Sequence, residues 1–123
     1  MPTIAEITAR LESMVLRADH MLEAFQHDLG GSSLHTFRWN TEDVIVALLE
    51  KEQATHHLAV INHPQASEHS EDHIINVMTS DIDRLILSTT PNQSTSYIGS
   101  FIDNYANQIA LRNVRKLITG NYI

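Results

Sequence analysis

The 123-residue chain has no cysteine, one tryptophan, three prolines and four glycines. Without cysteine it can form neither a disulfide bond nor a zinc site with thiolate ligands. Basic residues are also scarce, because 8 lysines and arginines stand against 15 acidic residues and give a formal net charge of −7. A protein that binds nucleic acid needs a basic surface, so this charge argues against that class and we expect no nucleic-acid partner.

Long apolar runs are missing as well. No stretch of the chain approaches the roughly 20 apolar residues that cross a bilayer, and the first ten residues do not have the pattern of a secretory signal. We therefore expect no membrane partner and a cytoplasmic location. With 42% hydrophobic residues the chain can bury a core, and its length predicts a single helical domain over residues 1–123.

Apolar residues recur at steps of three and four in four segments, which predicts four α-helices. Because the links between them are short, we expect an all-α fold, a four-helix bundle with antiparallel neighbours. The first helix is long, and the segment that follows it, at about 30–39, lacks a helical period and is predicted to be non-helical. The predicted helices cover 3–29, 40–63, a third segment from Ser70 to a loop at Ser88, and 95–119.

Helix-end signals support these boundaries. Thr3 and Glu6 form a capping box at the start of the first helix. Ser70 is followed by two acidic residues in the first turn of the third helix, where the helix dipole favours negative charge. Gly120 is a C-terminal stop for the fourth helix, because glycine adopts the left-handed conformation at low cost.

The fourth helix carries two apolar faces. One includes Tyr105 and Ile109 and then meets Arg112 and Lys116, while the other lies roughly opposite, near the C-terminal end. The second face either closes the end of the bundle or contacts a second copy or a partner, because exposed apolar stripes mark interfaces. It is assigned here as a partner or dimer contact, and its members are Leu111, Val114, Leu117 and Ile118.

Two aromatic residues, Phe37 and Trp39, lie in the segment predicted to be non-helical. They are assigned as a further partner contact, because aromatic side chains often anchor interfaces. The alternative is that they plug the end of the bundle.

Histidine is unusually frequent, with 8 in the chain. On the second helix, Glu52, His56 and His63 fall on the apolar side, where buried polar groups need partners. They could bond one another, lie on a face open to water, or bind a divalent metal such as zinc with His73 from the next segment. The candidate metal ligands are therefore Glu52, His56, His63 and His73, whereas His57 points away from them.

Motifs with a defined chemistry are absent. The chain has no H-E-x-x-H, no G-x-S-x-G and no glycine-rich phosphate loop, which are signatures of metalloproteases, hydrolases and nucleotide-binding enzymes. We therefore predict no catalytic residues and no cofactor apart from the alternative metal. A small helical enzyme that uses the histidines is the remote alternative.

Charge is distributed unevenly along the chain. Residues 41–83 contain nine acidic residues and one basic residue, a net charge of −8, together with five of the eight histidines. An acidic surface attracts basic partners, although acidity can also serve solubility alone. The leading hypothesis is a small acidic interaction module, a regulator, adaptor or inhibitor that meets a basic protein surface and forms a homodimer. The second hypothesis is a histidine-rich metal-binding bundle.

Overall fold

A computed structural model describes residues 2–28, 34–88 and 101–120, without the side chains of 27, 28, 34–40, 103 and 104. In these ranges the chain is helical and contains no β-strand, which confirms the all-α prediction. A short 3₁₀ helix, Pro64–Glu68, links the second helix to the third, and a π-helical turn, Ile102–Ala106, leads into the last one. The α-helices are α1 (Ile4–Asp28), α2 (Leu34–Ile61), α3 (Glu71–Ser88) and α4 (Asn107–Thr119).

The helices pack as a bundle in which α4 contacts the other three. Two interactions between α3 and α4 show that these helices are antiparallel. Arg115 donates to Asp83, and Gln108, earlier in α4, donates to the carbonyl of Ile86, later in α3. In the described ranges, no helix has the length and apolar character needed to cross a bilayer.

The core contains apolar residues from all four helices. Four residues of the periodic stripe predicted for α1 are buried, Ile7, Leu11, Met14 and Ala18, while Ile4, Leu22 and Phe25 are half-buried. Most of the stripe predicted for α3 is buried. Burial of this apolar surface is the main stabilising contribution to the fold. The clustered core residues are Ile7, Leu11, Met14, Ala54, Ile74, Ile75, Met78, Ile82, Leu111, Val114 and Ile118.

Three predicted helix ends are confirmed. The Oγ1 of Thr3 accepts a hydrogen bond of 3.1 Å from the backbone N–H of Glu6. The Oγ of Ser70 accepts one of 3.2 Å from the N–H of His73. Gly120 ends α4 in the left-handed conformation, with φ 71°, and its N–H donates to the carbonyl of Lys116.

The predicted non-helical segment at 30–39 is wrong from residue 34 onward, because α2 already begins at Leu34. Residues 30–33 lie outside the described ranges. No glycine or proline occurs between Leu34 and Ile61, and an interior Asn, Thr or aromatic residue costs a helix less than about 1 kcal/mol. A helix can therefore run through Asn40 rather than start there.

The predicted partner contact at the end of α4 is also wrong. Leu111, Val114 and Ile118 are buried in the core of the same chain, and Leu117 packs against that core. The π-helical turn explains why the sequence shows two faces, because its wider winding changes which side of the following helix points inward. Phe37 and Trp39 lie in the first turns of α2, but their side chains are outside the described part, so this contact stays a prediction.

Candidate functional site

A groove lies between α2 and α3, which contact each other little after the 3₁₀ link. It consists of two adjoining cavities of about 570 and 410 Å³ that share His56, Val60 and Val77 as lining residues. We call this feature the α2–α3 groove. One end is marked by Asp81 and Arg84 on α3 and the other by the 3₁₀ helix.

The floor of the groove is apolar. Val60 from α2 and Ile74, Val77 and Met78 from α3 line it. Met78 and Ile74 belong to the core, whereas 48% of the Val77 surface remains exposed. Val77 therefore keeps apolar surface in contact with water at the floor of the groove.

At one end of the groove a carboxylate holds two neighbours in place. Asp81 accepts a hydrogen bond from Arg84, one turn later on α3. Its other oxygen lies 3.5 Å from the Nε2 of His56 on α2. The approach of Asp81 to His56 spans the two helices, whereas the hydrogen bond from Arg84 lies within α3.

At the other end, His63 has a structural role. Its Nδ1 accepts a hydrogen bond of 3.1 Å from the N–H of Gln65 and so caps the 3₁₀ helix. A neutral imidazole that accepts at Nδ1 carries its proton on Nε2, so neither nitrogen is free to bind a metal ion. The rings of His69 and His73 lie nearby on the same groove, with their centroids 4.6 Å apart.

The predicted metal ligands are brought together only in part. His56, His63 and His73 line the groove, while Glu52 is exposed on α2 and does not line it. Across the described ranges, no group of three or more His, Asp or Glu side chains is arranged to hold a metal ion. The sequence left three possibilities for Glu52, His56 and His63: bonding one another, binding a metal, or lying on a face of α2 open to water. The structure shows that this face of α2 is open to water. Zinc binding in the groove stays a prediction.

Sequence reasoning missed His57, which lies beneath the floor of the groove with none of its surface exposed. Neither ring nitrogen has a hydrogen-bond partner in the described part of the chain. Its pKa is lowered to about 4, mainly by burial and also by the nearby His56, while Asp81 opposes the shift. The ring is therefore neutral at physiological pH.

A second buried polar residue, Glu50, lies on the same side of α2 with 5% of its surface exposed. Its carboxylate accepts a hydrogen bond of 3.3 Å from Asn113 on α4 and lies 3.8 Å from the guanidinium of Arg17 on α1. Burial raises the pKa of Glu50, and the contacts with Asn113 and Arg17 oppose this. Glu50 therefore connects α1, α2 and α4, and its carboxylate is largely removed from water.

The outer side of α4 and of the π-helical turn before it presents a second surface. Tyr105 and Ile109 are 61% and 41% exposed, and the charged residues Arg112 and Lys116 continue the same helix face at steps of three and four. We call these four residues the α4 outer face. The Tyr105 ring also stacks on Phe101, with centroids 6.3 Å apart.

Comparison of the chain with protein-family models, curated proteins and solved structures finds no match. What the protein binds has to be inferred from its own surfaces. Among the described residues, the α2–α3 groove and the α4 outer face each combine exposed apolar side chains with charged or polar neighbours.

Proposed function

We propose that the protein is a small helical module that binds another protein through the α2–α3 groove and acts as a regulator, adaptor or inhibitor rather than as an enzyme. The observation that supports this function is the apolar floor, which is open to solvent at Val77 and bordered by polar side chains. Grooves between helices commonly take the apolar face of an amphipathic helix. The proposal includes a cytoplasmic location, which cell fractionation would test.

The charge around the groove indicates which kind of partner helix would bind there. The groove is built from residues 56–84, within or next to the 41–83 stretch of net charge −8. Glu68 and Asp72 are exposed beside the groove, and opposite charges speed association and favour the correct partner. We therefore propose a partner helix with one apolar face flanked by lysine or arginine.

A pair of matched substitutions tests the groove. Val77→Asp places a charge on the apolar floor, whereas Leu16→Asp makes the same change at a leucine of similar exposure on α1, 57% against 48%. Burying an unpaired carboxylate against apolar surface is costly. We expect Val77→Asp to lose the partner captured from the native host by immobilised protein and Leu16→Asp to keep it.

Circular dichroism must first show that both variants are folded. The groove proposal fails if Val77→Asp keeps the partner at wild-type strength, or if Leu16→Asp is the variant that loses it.

A further inference from the structure

We infer that the cationic helix suited to the groove is present in the chain itself: the α4 outer face of a second copy occupies the α2–α3 groove of the first, and the reverse, in a twofold dimer. This inference rests on the proposed binding role of the groove, because it names the occupant of that same surface.

The apolar parts of the two surfaces complement each other. In the described ranges six large hydrophobic side chains are exposed, and three of them are Val77 in the groove and Tyr105 and Ile109 on the α4 outer face. Placing the face in the groove would remove all three from water in one contact. A contact with any other region would leave one of the two apolar surfaces uncovered.

The charges also complement each other. Arg112 and Lys116 extend the α4 outer face, and no acidic side chain in the described part of the chain forms an ion pair with either. Arg115, by contrast, is paired with Asp83 at 2.7 Å inside the bundle. The charged residues that line the groove, Asp81 and Arg84, pair with each other. The carboxylates that Arg112 and Lys116 of the other copy would meet are the exposed Glu68 and Asp72, which are adjacent in sequence to the lining residues His69 and His73.

The two surfaces have the same length. The α4 outer face extends from Tyr105 to Lys116, and α3 lines the groove from His73 to Arg84. Each distance is eleven residues, which is roughly 17 Å at the rise of an α-helix. One helix face of this length covers the groove from the carboxylate end to the histidine end.

The symmetry of the contact determines whether assembly stops at a dimer or continues as an open chain of copies. In a twofold contact each copy provides one face and one groove, so both surfaces of both copies are used and assembly stops at two. A one-way contact would leave a free face and a free groove and would continue to larger assemblies.

Sedimentation of the full chain at pH 7.5 and low salt provides the first test. We expect a dimer for the wild-type chain, and for Ile109→Glu a dissociation constant at least about tenfold higher, because the new carboxylate enters an apolar contact. Leu16→Glu is the matched control and should remain dimeric. A wild-type chain that is monomeric at micromolar concentration, or that forms a series of larger species, overturns the inference.

A mixing experiment identifies which surfaces touch. Ile109→Glu damages the face but leaves the groove intact, and Val77→Asp does the reverse. Each variant alone should be monomeric, while a mixture should associate through the one intact face and groove, measured by energy transfer between labelled copies. No association in the mixture, or a dimer of Val77→Asp alone, overturns this arrangement.

The outcomes separate the two proposals. If the wild-type chain is monomeric but Val77→Asp still loses a captured host protein, the groove binds a different partner and only the dimer fails. If the dimer forms through this contact and no host protein depends on Val77, the binding role is limited to self-association and the proposed function fails.

Discussion

Among the described residues, His57 combines full burial with two ring nitrogens that have no hydrogen-bond partner. A buried imidazole with two unpaired nitrogens carries a desolvation cost of about 1–3 kcal/mol for each unmet hydrogen bond. Its pKa is about 4 in the folded chain against 6.5 for an ordinary histidine. Between these values the unfolded chain binds a proton that the folded chain does not, so stability is fully present above pH 6.5 and falls as the pH drops toward 4.

We expect His57 to cost the fold about 2 kcal/mol of unfolding free energy between pH 7.5 and pH 5. Glu50 acts in the opposite direction, because its raised pKa means that falling pH relieves the burial of its charge. The effect of His57 is therefore measured by difference, with urea unfolding of the wild type and of His57→Leu at both pH values.

His57→Leu should be at least as stable as the wild type at pH 7.5 and should lose less stability at pH 5. His20→Leu, at an exposed position on α1, is the control and should follow the wild type. Equal pH dependence in the wild type and His57→Leu would show that the buried imidazole does not govern acid sensitivity.

The sequence could not readily reveal His57 and Glu50, for a physical reason. The inward side of α2 contains Val44, Ala47, Glu50, Ala54 and His57 at steps of three and four, so it has helical spacing but little apolar character. Larger residues on α2, such as Leu48, lie partly in solvent. Small alanines allow α2 to approach its neighbours closely, and the two polar residues are buried as a consequence of that packing.

At the scale of the helix, α4 depends on its C-terminal stop. Gly120 has φ 71°, and a Cβ added there would lie 3.0 Å from the Cγ of Pro2. Replacing a left-handed glycine by alanine costs roughly 1 kcal/mol through backbone strain, and the contact with Pro2 adds to it. We expect Gly120→Ala to lower the free energy of unfolding by about 1–2 kcal/mol in urea.

Gly120→Asn separates the two causes, because asparagine tolerates the left-handed conformation but still adds a Cβ. It should lose less stability than Gly120→Ala. If the alanine variant matches the wild type, the close approach of the α4 end to Pro2 is not a stabilising feature.

Helix ends that are set by a capping hydrogen bond or by a glycine could be predicted from the sequence. The start of α2 could not be predicted in this way. Thr3, Ser70 and Gly120 act through hydrogen bonds or backbone conformation within a few residues of themselves. Asn40 has the chemistry of a cap, but no glycine or proline between Leu34 and Asn40 interrupts the helix. The only sign of the π-helical turn in the sequence is the change of apolar face along the fourth helix. The sequence does not reveal which of the two faces points into the core.

At the scale of the whole molecule, the bundle could be predicted and the groove could not. Helical periodicity reports which residues are apolar along each helix, whereas the groove exists because α2 and α3 contact each other little. The sequence predicted that His56, His63 and His73 lie in one region, and they do line the same groove. It could not show that His63 is a cap or that Glu52 points elsewhere.

The charge of the whole molecule leads to a last prediction, that added salt weakens the proposed dimer. Arg112 and Lys116 on the α4 outer face of one copy would lie near Glu68 and Asp72, which are exposed beside the groove of the other copy. Salt screens exposed charges over about 10 Å at 0.1 M and over a shorter distance at higher concentration. We expect a loss of about 1 kcal/mol, or roughly fivefold in the dissociation constant, between low salt and about 0.5 M salt at pH 7.5.

Sedimentation of the wild-type chain at both salt concentrations measures this effect. Equal dissociation constants in low and high salt would mean that Arg112 and Lys116 do not face the acidic residues of the second copy.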